Sequence, residues 1–337
     1  MSERHPCTAE SLRDRAPDQH DQPSRIRIDY ARTGDSVGPV LAVISFGTSE
    51  LPGHARADPD TLHIHVALEP QHQIHERLEL WHANGAITSG RDGLVRYTRD
   101  ADRIMAILEC DEREYGGIEA TSELVYREMR RFQEHCGYPH LLRVWNYFDA
   151  INAGEGDLER YRQFCTGRTR GLGDASEDRF PAASAIGTQS STQRLQVYWL
   201  AARHAGLRVE NPRQVSAFRY PRDYGPTPPT FARAMKVGTD TLLISGTASI
   251  VGHASQHHGD ALAQIDETIR NIEVLQAQAG LPAGGKASVK IYVRHELQLS
   301  EIEARIRRVW PDSQLLVLAA DICRSELLLE IEGVVTV

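Results

Sequence analysis

Arginine supplies almost all of the positive charge of this chain, with 35 arginines against three lysines, Lys236, Lys286 and Lys290. The planar guanidinium fork binds a carboxylate through two hydrogen bonds at once, which suits it to small organic anions. Because the 337-residue chain has a formal net charge of −8, a site for an anion needs a local arginine cluster. Genomic base composition produces the same bias, so the positions of the arginines matter more than their number.

The last predicted strand carries a row of glutamates. Side chains alternate between the two faces of a strand, which separates the acidic positions from the purely apolar ones. One face holds Glu326, Leu328, Glu330 and Glu332. A carboxylic acid with a raised pKa is a common proton donor in catalysis. The row is therefore either a solvated strand face or the location of a general acid.

The histidines and cysteines do not form a metal or disulfide pattern. The sequence has no HExxH motif and no CxxC pair, and its five cysteines are an odd number spread along the chain. The histidines that lie nearest to one another are His63 and His65, His72 and His75, and the set His253, His257 and His258. We therefore expect free thiols and no bound metal.

Composition and charge narrow the class of protein. The chain is 41% hydrophobic and 25% charged, which is typical of a globular protein of about two domains. Its negative charge gives no footprint for nucleic acid or an anionic membrane, and no apolar run approaches the ~20 residues of a membrane helix. Residues 1–25 are polar and lack the apolar core of a signal peptide, so we expect a disordered arm on a cytoplasmic protein.

The elements that must position these residues occur in two similar series. Apolar runs in the first series, residues 26–150, predict strands at 40–45, 62–66, 93–97 and 104–110, a helix over 118–136 and a strand at 141–148. The second series, residues 216–337, has a strand at 241–245, helices over 260–278 and 300–309, and strands at 289–294, 314–319 and 327–331. The shared order of strand, helix and strand predicts an internal duplication.

The segment 151–215 connects the two series. Its first part is rich in Gly, Ser, Thr and Arg, with a short helix predicted at 158–165 and then Thr166, Gly167 and Arg168. Glycines, hydroxyls and arginines suit a loop that faces a ligand, although a solvated linker has the same composition. We expect a substrate-facing loop here.

The second series resembles the RidA (YjgF) fold. The shared features are an S-G-x motif after a strand at 245–247, a helix that ends in A-G at 280, the strand KIYV at 290–293 and the terminal strand LEIE at 329–332. The resemblance implies an α/β (α+β) fold of two RidA/YjgF-like halves in an internal pseudo-repeat, with the first half more divergent. A fold alone does not determine the chemistry.

A more specific resemblance covers most of residues 140–337. Its motifs, all in one order, are RVWNYF at 143–148, ERYRQFCTGR at 159–168, SAFRYPRDYGP at 216–226, FARA at 231–234 and SGTASI at 245–250. Together they resemble the chorismatase family, enzymes that hydrolyse chorismate in hydroxybenzoate and polyketide starter-unit biosynthesis. The first 100 residues match only loosely.

This resemblance implies that the chain cleaves the enolpyruvyl ether of chorismate, a small dianion, to pyruvate and a hydroxybenzoate, without a metal or organic cofactor. The substrate-binding residues expected within the matched motifs are Tyr161, Arg168, Arg219, Tyr220, Tyr224, Arg233, Gly246, Thr247 and Ala248. For each arginine, the alternative is a surface ion pair. We expect the site between the two halves, in a monomer or a small homo-oligomer.

Two further positions are assigned by the same resemblance. Glu330 falls where chorismatases carry their catalytic glutamate, which makes it the acid that protonates the methylene carbon of the enol ether. Cys323 stands where members that release 3-hydroxybenzoate have a cysteine, which members that release a dihydrodiol lack. Ala248 departs from the first group, where a glycine is expected. These mixed features resemble the bifunctional bacterial members that form both 3- and 4-hydroxybenzoate for pigment and quinone pathways.

Three alternatives to a hydroxybenzoate-forming chorismatase stay open. They are a chorismatase that releases the dihydrodiol, a RidA-type imine deaminase, and a metabolite-binding protein without activity. The deaminase needs an arginine near the C-terminal strands, for which Arg324 is the candidate, although its neighbours do not match.

Overall fold

The computed structural model describes residues 25–32, 38–47, 60–71, 76–294 and 298–337. Apart from Arg25, the predicted arm at 1–25 lies outside this part of the chain, as do Cys7, His72 and His75.

The described residues form nineteen strands and five α-helices. In chain order the strands are β1 (Ile28–Arg32), β2 (Val40–Phe46), β3 (Leu62–Val66), β4 (Glu76–His82), β5 (Thr88–Asp92), β6 (Val95–Arg99), β7 (Arg103–Asp111), β8 (His140–Asp149), β9 (Ala182–Thr188), β10 (Arg194–Ala202), β11 (Leu207–Val209), β12 (Ala234–Val237), β13 (Thr241–Thr247), β14 (Ile250–Val251), β15 (Ala254–Ser255), β16 (Lys286–Val293), β17 (Gln314–Ala319), β18 (Asp321–Ile322) and β19 (Leu329–Thr336). The helices are α1 (Glu112–Tyr115), α2 (Ile118–His135), α3 (Arg160–Leu172), α4 (Ala261–Gln278) and α5 (Leu299–Val309). Single 3-10 turns occur at Gly156–Leu158, Glu177–Arg179, Ala217–Arg219 and Arg222–Tyr224.

Two large sheets repeat one topology. The seven-stranded sheet contains the strand order β6-β7-β10-β8-β9, and the six-stranded sheet contains the order β12-β13-β19-β16-β17. In each, one parallel pair, β8 with β9 or β16 with β17, is joined through a helix, and the last strand of the series inserts antiparallel between earlier ones. The predicted α/β fold of two halves in an internal pseudo-repeat is confirmed.

Each half covers the outer face of its sheet with helices, and the inner faces share one core. Val125, Met129 and Phe132 form the buried stripe of α2 at the spacing of an amphipathic helix. The central core lies between the two large sheets and the four-stranded sheet of order β1-β4-β2-β3, and it includes Trp145 and Tyr292. Its side chains come from both halves, so the halves cannot separate without exposing it.

The segment between 151 and 215 contains more regular structure than its composition indicates. Strands β9 and β10 belong to the seven-stranded sheet, where β10 pairs with β7 and β8. Arg168 does not lie on a loop, because α3 continues to Leu172. Gly167 brings α3 close to α2, since a Cβ there would overlap the carbonyl oxygen of Glu119. Gly167, which was expected in a substrate-facing loop, therefore allows two helices to pack closely.

The last strand begins later than its alternation predicts. Its first residue is Leu329, so Glu326, in a turn, and Leu328 both come before the strand and do not belong to the face shared by Glu330 and Glu332. Glu326 instead accepts a hydrogen bond from the Ser255 hydroxyl at 2.8 Å. Alternation correctly predicts which residues of β19 share a face, but the turn that starts the strand depends on tertiary contacts.

Candidate active site

A cavity of about 260 Å³ lies where the two halves meet. The halves are joined there by Ser245 of β13, whose hydroxyl accepts a hydrogen bond from the Ala183 amide of β9 at 2.9 Å and donates one to the Ala232 carbonyl at 2.5 Å. The walls of the cavity come from α3, β9, β13, β19, the 220–224 turn, the 229–233 segment and the 323–326 turn. Because these elements belong to both halves, the cavity forms only when the two halves pack together.

All but two of the catalytic and substrate-binding residues expected from the sequence line the cavity. Those that line it are Tyr161, Arg168, Tyr220, Tyr224, Arg233, Gly246, Ala248, Cys323 and Glu330. They come from positions up to 169 residues apart in the chain, which only the packing of the two halves brings together.

Arg219 and Thr247 do not line the cavity. The Arg219 side chain is 69% exposed and lies 3.3 Å from a carboxylate oxygen of Glu177, which is the surface ion pair considered as its alternative. Thr247 lies between Gly246 and Ala248 on the chain, and alternation turns its side chain away from the cavity that they line. Its hydroxyl donates to the Ser245 carbonyl at 2.8 Å.

Glu330 is held in its neutral form. Burial, and then the negative charge of Glu332, raise the pKa of Glu330 to about 8, against the opposing effects of Arg143 and Arg233. Its side chain lines the cavity while the residue is only 5% exposed. At neutral pH this carboxyl group therefore retains a proton that it can donate to a bound molecule.

Glu332, two residues further along β19, is in the opposite state. Burial alone would raise its pKa, but the ammonium group of Lys290 and the guanidinium group of Arg143 lower it to about 2. Arg143 Nη2 lies 2.6 Å from one carboxylate oxygen and Lys290 Nζ lies 2.7 Å from the other. Two glutamates on one strand face thus have their pKa values moved apart, which is how carboxyl pairs take different chemical roles.

Cys323 is a protonated thiol beside the acid. Burial, and then the negative charge that Glu330 carries once it ionises, raise the pKa of the Cys323 thiol well above its usual range. Burial also raises the pKa of the Tyr161 hydroxyl, which is influenced by Cys165, Cys323 and Glu330. Because a thiol is a poor nucleophile compared with a thiolate, the role open to Cys323 is that of a weak hydrogen-bond donor.

Two buried arginines supply positive charge to the cavity. Arg168 donates to the Thr230 carbonyl at 2.9 Å and lies over the Tyr126 ring, and Arg233 donates to the Val215 carbonyl at 2.8 Å. Their Nε atoms are buried without a hydrogen-bond partner among the described residues. Arg233 also donates to the Tyr220 hydroxyl at 2.7 Å. Because neither guanidinium group forms an ion pair with a carboxylate of the described residues, both keep their charge available for an anion.

Arg162 also lines the cavity, but it pairs with Glu159 at 2.9 Å. Arg324, which was expected from the sequence only for the deaminase alternative, is a further cationic residue of the cavity. Its guanidinium carbon lies 4.0 Å from the ring centre of Tyr224 and 5.1 Å from that of Tyr220. It also donates to the His253 carbonyl at 2.8 Å. The sequence signal for it was its place directly after Cys323.

Gly246 is required by the close approach of β13 to the acid. A Cβ at this position would overlap Oε1 of Glu330 and lie 3.1 Å from the Ser184 hydroxyl. We expect Gly246→Ala to displace the Glu330 carboxyl and reduce turnover at least tenfold, with overpacking costing about 1–3 kcal/mol of unfolding free energy. Steady-state kinetics and thermal melting measure both effects. Gly38→Ala, where no atom lies within 4 Å, is the matched control and should leave both near their original values.

Within the described ranges, no group of three or more His, Cys, Asp or Glu side chains is placed to hold a metal ion. None of the helices in this part of the chain is long and apolar enough to span a bilayer.

A carboxylic acid with a raised pKa, a protonated thiol and four arginines line one cavity, an arrangement that suits acid catalysis on a small organic anion. Residues 79–201 match the family model described as "Chorismatase FkbO/Hyg5-like, N-terminal". A chorismatase of Streptomyces rapamycinicus is 39% identical over 278 residues, 76% of this chain and 81% of that protein. A 3-hydroxybenzoate synthase of Streptomyces hygroscopicus is 34% identical over 279 residues, with the same coverage.

A crystal structure of a chorismatase matches with a TM-score of 0.80 and 30% identity, and the match covers 93% of this chain and 98% of the other. The chain therefore belongs to the chorismatase family. The match to the family model begins at residue 79, well before residue 143, where the first motif recognised in the sequence begins.

Proposed function

We propose that this chain cleaves the enolpyruvyl ether of chorismate, releasing pyruvate and 3-hydroxybenzoate, 4-hydroxybenzoate or both, with Glu330 as the acid. The observation that carries the proposal is the buried Glu330 carboxyl group, whose pKa is raised to about 8, in the wall of a cavity that arginines also line. An enol ether is stable to bases and nucleophiles but is cleaved by acid, so this arrangement suits it. The relatives named chorismatase and 3-hydroxybenzoate synthase support the same substrate.

The first step transfers the Glu330 proton to the terminal methylene carbon of the side chain. That carbon becomes a methyl group, and the positive charge is shared between the adjacent carbon and the ether oxygen. The Glu330 carboxylate left behind stabilises this cation. General acid catalysis of this kind contributes about 10²–10⁴-fold to the rate.

The second step breaks the bond between the ether oxygen and ring carbon 3. If the hydroxyl group on ring carbon 4 attacks carbon 3 and gives its proton to the Glu330 carboxylate, pyruvate leaves with the ether oxygen and an epoxide remains across the two ring carbons. Opening of the epoxide with loss of a ring proton gives a hydroxybenzoate, and no water is consumed. Attack by water instead gives the dihydrodiol, so exclusion of water from the cavity favours the aromatic product.

The two carboxylates of the substrate require cationic partners. Arg168, Arg233 and Arg324 are placed in the cavity wall, and the hydroxyl groups of Tyr220 and Tyr224 lie among them. An arginine fork pairs with a carboxylate through two parallel hydrogen bonds, which fixes the orientation of the ring as well as its position. The proton donor and the ring are thereby held in one geometry.

The proposal is tested by incubating the purified protein with chorismate. Pyruvate should appear one-for-one with the chorismate consumed, and chromatography should resolve hydroxybenzoate as the aromatic product. The rate should persist after exhaustive chelation, because the cleavage needs only a proton and a nucleophile. Loss of activity with a chelator and its recovery with zinc would overturn this mechanism.

Other outcomes identify the alternative functions. A non-aromatic dihydrodiol formed with pyruvate would make the chain a chorismatase of the hydrolytic type. Turnover of an imine substrate without cleavage of chorismate would identify a deaminase, and saturable binding of chorismate without products would identify a binding protein.

A further inference from the structure

Behind the cavity, four charged side chains form one buried network between the sheets. Lys290 Nζ lies 2.8 Å from a carboxylate oxygen of Glu79 and 2.7 Å from one of Glu332, and Arg143 pairs with Glu332 at 2.6 Å. None of these side chains is more than 3% exposed. They come from four strands, β4, β8, β16 and β19, in all three larger sheets.

Burying such a network costs more than filling the same space with apolar side chains. The desolvation of each ion amounts to several kcal/mol, and replacement of buried ion pairs by packed hydrophobic residues is often neutral or stabilising. Stability is therefore a poor explanation for four ions in a core otherwise formed by residues such as Trp145 and Tyr198. A role in the neighbouring site explains them better.

The network holds Glu332 in place as a carboxylate. Besides its two cations, Glu332 accepts hydrogen bonds from Trp145 Nε1 at 2.8 Å and the Tyr292 hydroxyl at 3.0 Å, and the Ser184 hydroxyl also donates to it. Lys290 lies directly opposite Glu332 in the register of β16 and β19. Both carboxylate oxygens are occupied by donors, so protonation of Glu332 would break several hydrogen bonds.

Glu332 does not line the cavity, but it lies behind the acid. Glu330 and Glu332 share one face of β19, and residues two apart on a strand are separated by roughly 7 Å. The charged groups that face Glu330 from other elements are Arg143 of β8 and Arg233 before β12, which favour its ionised form. Cys323 also faces it and is a neutral thiol. Glu332 is the negative charge that opposes the two arginines.

We propose that Glu332 is a positioning residue for the cleavage reaction: fixed as a carboxylate by Lys290 and Arg143, it keeps the proton on Glu330. This inference rests on the proposed role of Glu330 as the acid. Arg233, which lines the cavity beside the anionic substrate, would otherwise favour the loss of the proton from Glu330. A permanent negative charge behind the acid allows one cavity to hold both an anion and a proton donor.

The test is the pH dependence of kcat/KM for chorismate cleavage in Glu332→Gln. The unaltered protein should lose activity as the pH rises through about 8, where Glu330 ionises. Removing the negative charge at Glu332 lowers the pKa of Glu330, so this loss should move to lower pH by about one unit or more. At pH 8 the variant should fall about fivefold or more below the unaltered protein, and at pH 6 stay within about threefold.

Glu79→Gln is the matched control. It makes the same chemical change on the other carboxylate partner of Lys290, while Glu332 keeps its charge. The Glu79 side chain also accepts a hydrogen bond from Trp81 Nε1 at 2.6 Å. The alkaline limb of its pH profile should therefore coincide with that of the unaltered protein. Equal shifts in both variants would mean that the network acts only through general loss of packing.

A second variant covers the case in which Glu332→Gln does not fold. Lys290→Met combined with Glu332→Gln removes one positive and one negative charge, so the net charge of the core stays unchanged. Circular dichroism checks its folding, and its alkaline limb should shift in the same direction by a smaller amount. A folded variant whose limb stays in place would overturn the role of Glu332. If the unaltered protein itself has no alkaline limb near this pH, the failure lies in the assignment of Glu330.

Discussion

Glu330→Gln should reduce chorismate turnover by ~10²-fold or more, because the amide keeps the size of the side chain but has no acidic proton to transfer. Substrate affinity should stay similar, since the positive charge that attracts the substrate comes from arginines such as Arg168 and Arg233. Steady-state kinetics with pyruvate detection separates the two effects. The remaining activity should also lose the decline above pH 8 that ionisation of Glu330 causes in the unaltered protein.

Glu326→Gln is the matched comparison for that variant. Glu326 also lines the cavity, but its pKa is lowered, whereas that of Glu330 is raised. Burial would raise its pKa, while hydrogen bonds from its backbone amide and Ser255 and the charge of Arg324 lower it. Glu326 is thus ionised at neutral pH and has no proton to give. Its change to glutamine should reduce turnover far less than Glu330→Gln, and near-normal turnover of Glu330→Gln would place the acid elsewhere.

Cys323→Ala should still release pyruvate, but the aromatic product should shift away from 3-hydroxybenzoate, towards 4-hydroxybenzoate or the dihydrodiol. The reason is that the protonated thiol lies beside Glu330 and can guide the opening of the epoxide through a weak hydrogen bond, which an alanine cannot form. Product chromatography at complete conversion measures the ratio.

The control for this change is Cys110→Ala, which removes a buried thiol of β7 away from the cavity. Its product ratio should equal that of the unaltered protein. An unchanged ratio in Cys323→Ala as well would reduce Cys323 to a packing residue, and the argument for 3-hydroxybenzoate would then rest on the relatives alone.

The sequence by itself determined the repeated order of elements and most of the residues that meet in the cavity. The helix at Ile118–His135 and the helix at Ala261–Gln278 agree with their predicted bounds to within one residue, because hydrophobic periodicity and end signals are local. The motifs around Arg168, Tyr220 and Gly246 could be recognised because each is a continuous run of residues with a distinctive amino-acid sequence.

Periodicity could not reveal strands β9 and β10 in the segment predicted as a connection. Both are buried on nearly every residue, and strands covered on both faces lack the alternation that identifies a strand with one solvent-exposed face. The serine, glycine and threonine of β9 also give that strand the composition of a loop. Only their pairing with β7 and β8 shows them to be part of the sheet.

The tertiary structure alone decided which of the matched residues reach the cavity and in what charge state. Arg219 and Arg233 occur in equally distinctive motifs, yet one is a surface ion pair and the other is buried in the cavity wall. Glu330 and Glu332 are chemically identical in sequence, and their pKa values differ because Lys290 and Arg143 contact only one of them. Charge states depend on burial and on distances between strands that are far apart in the chain, which no local pattern encodes.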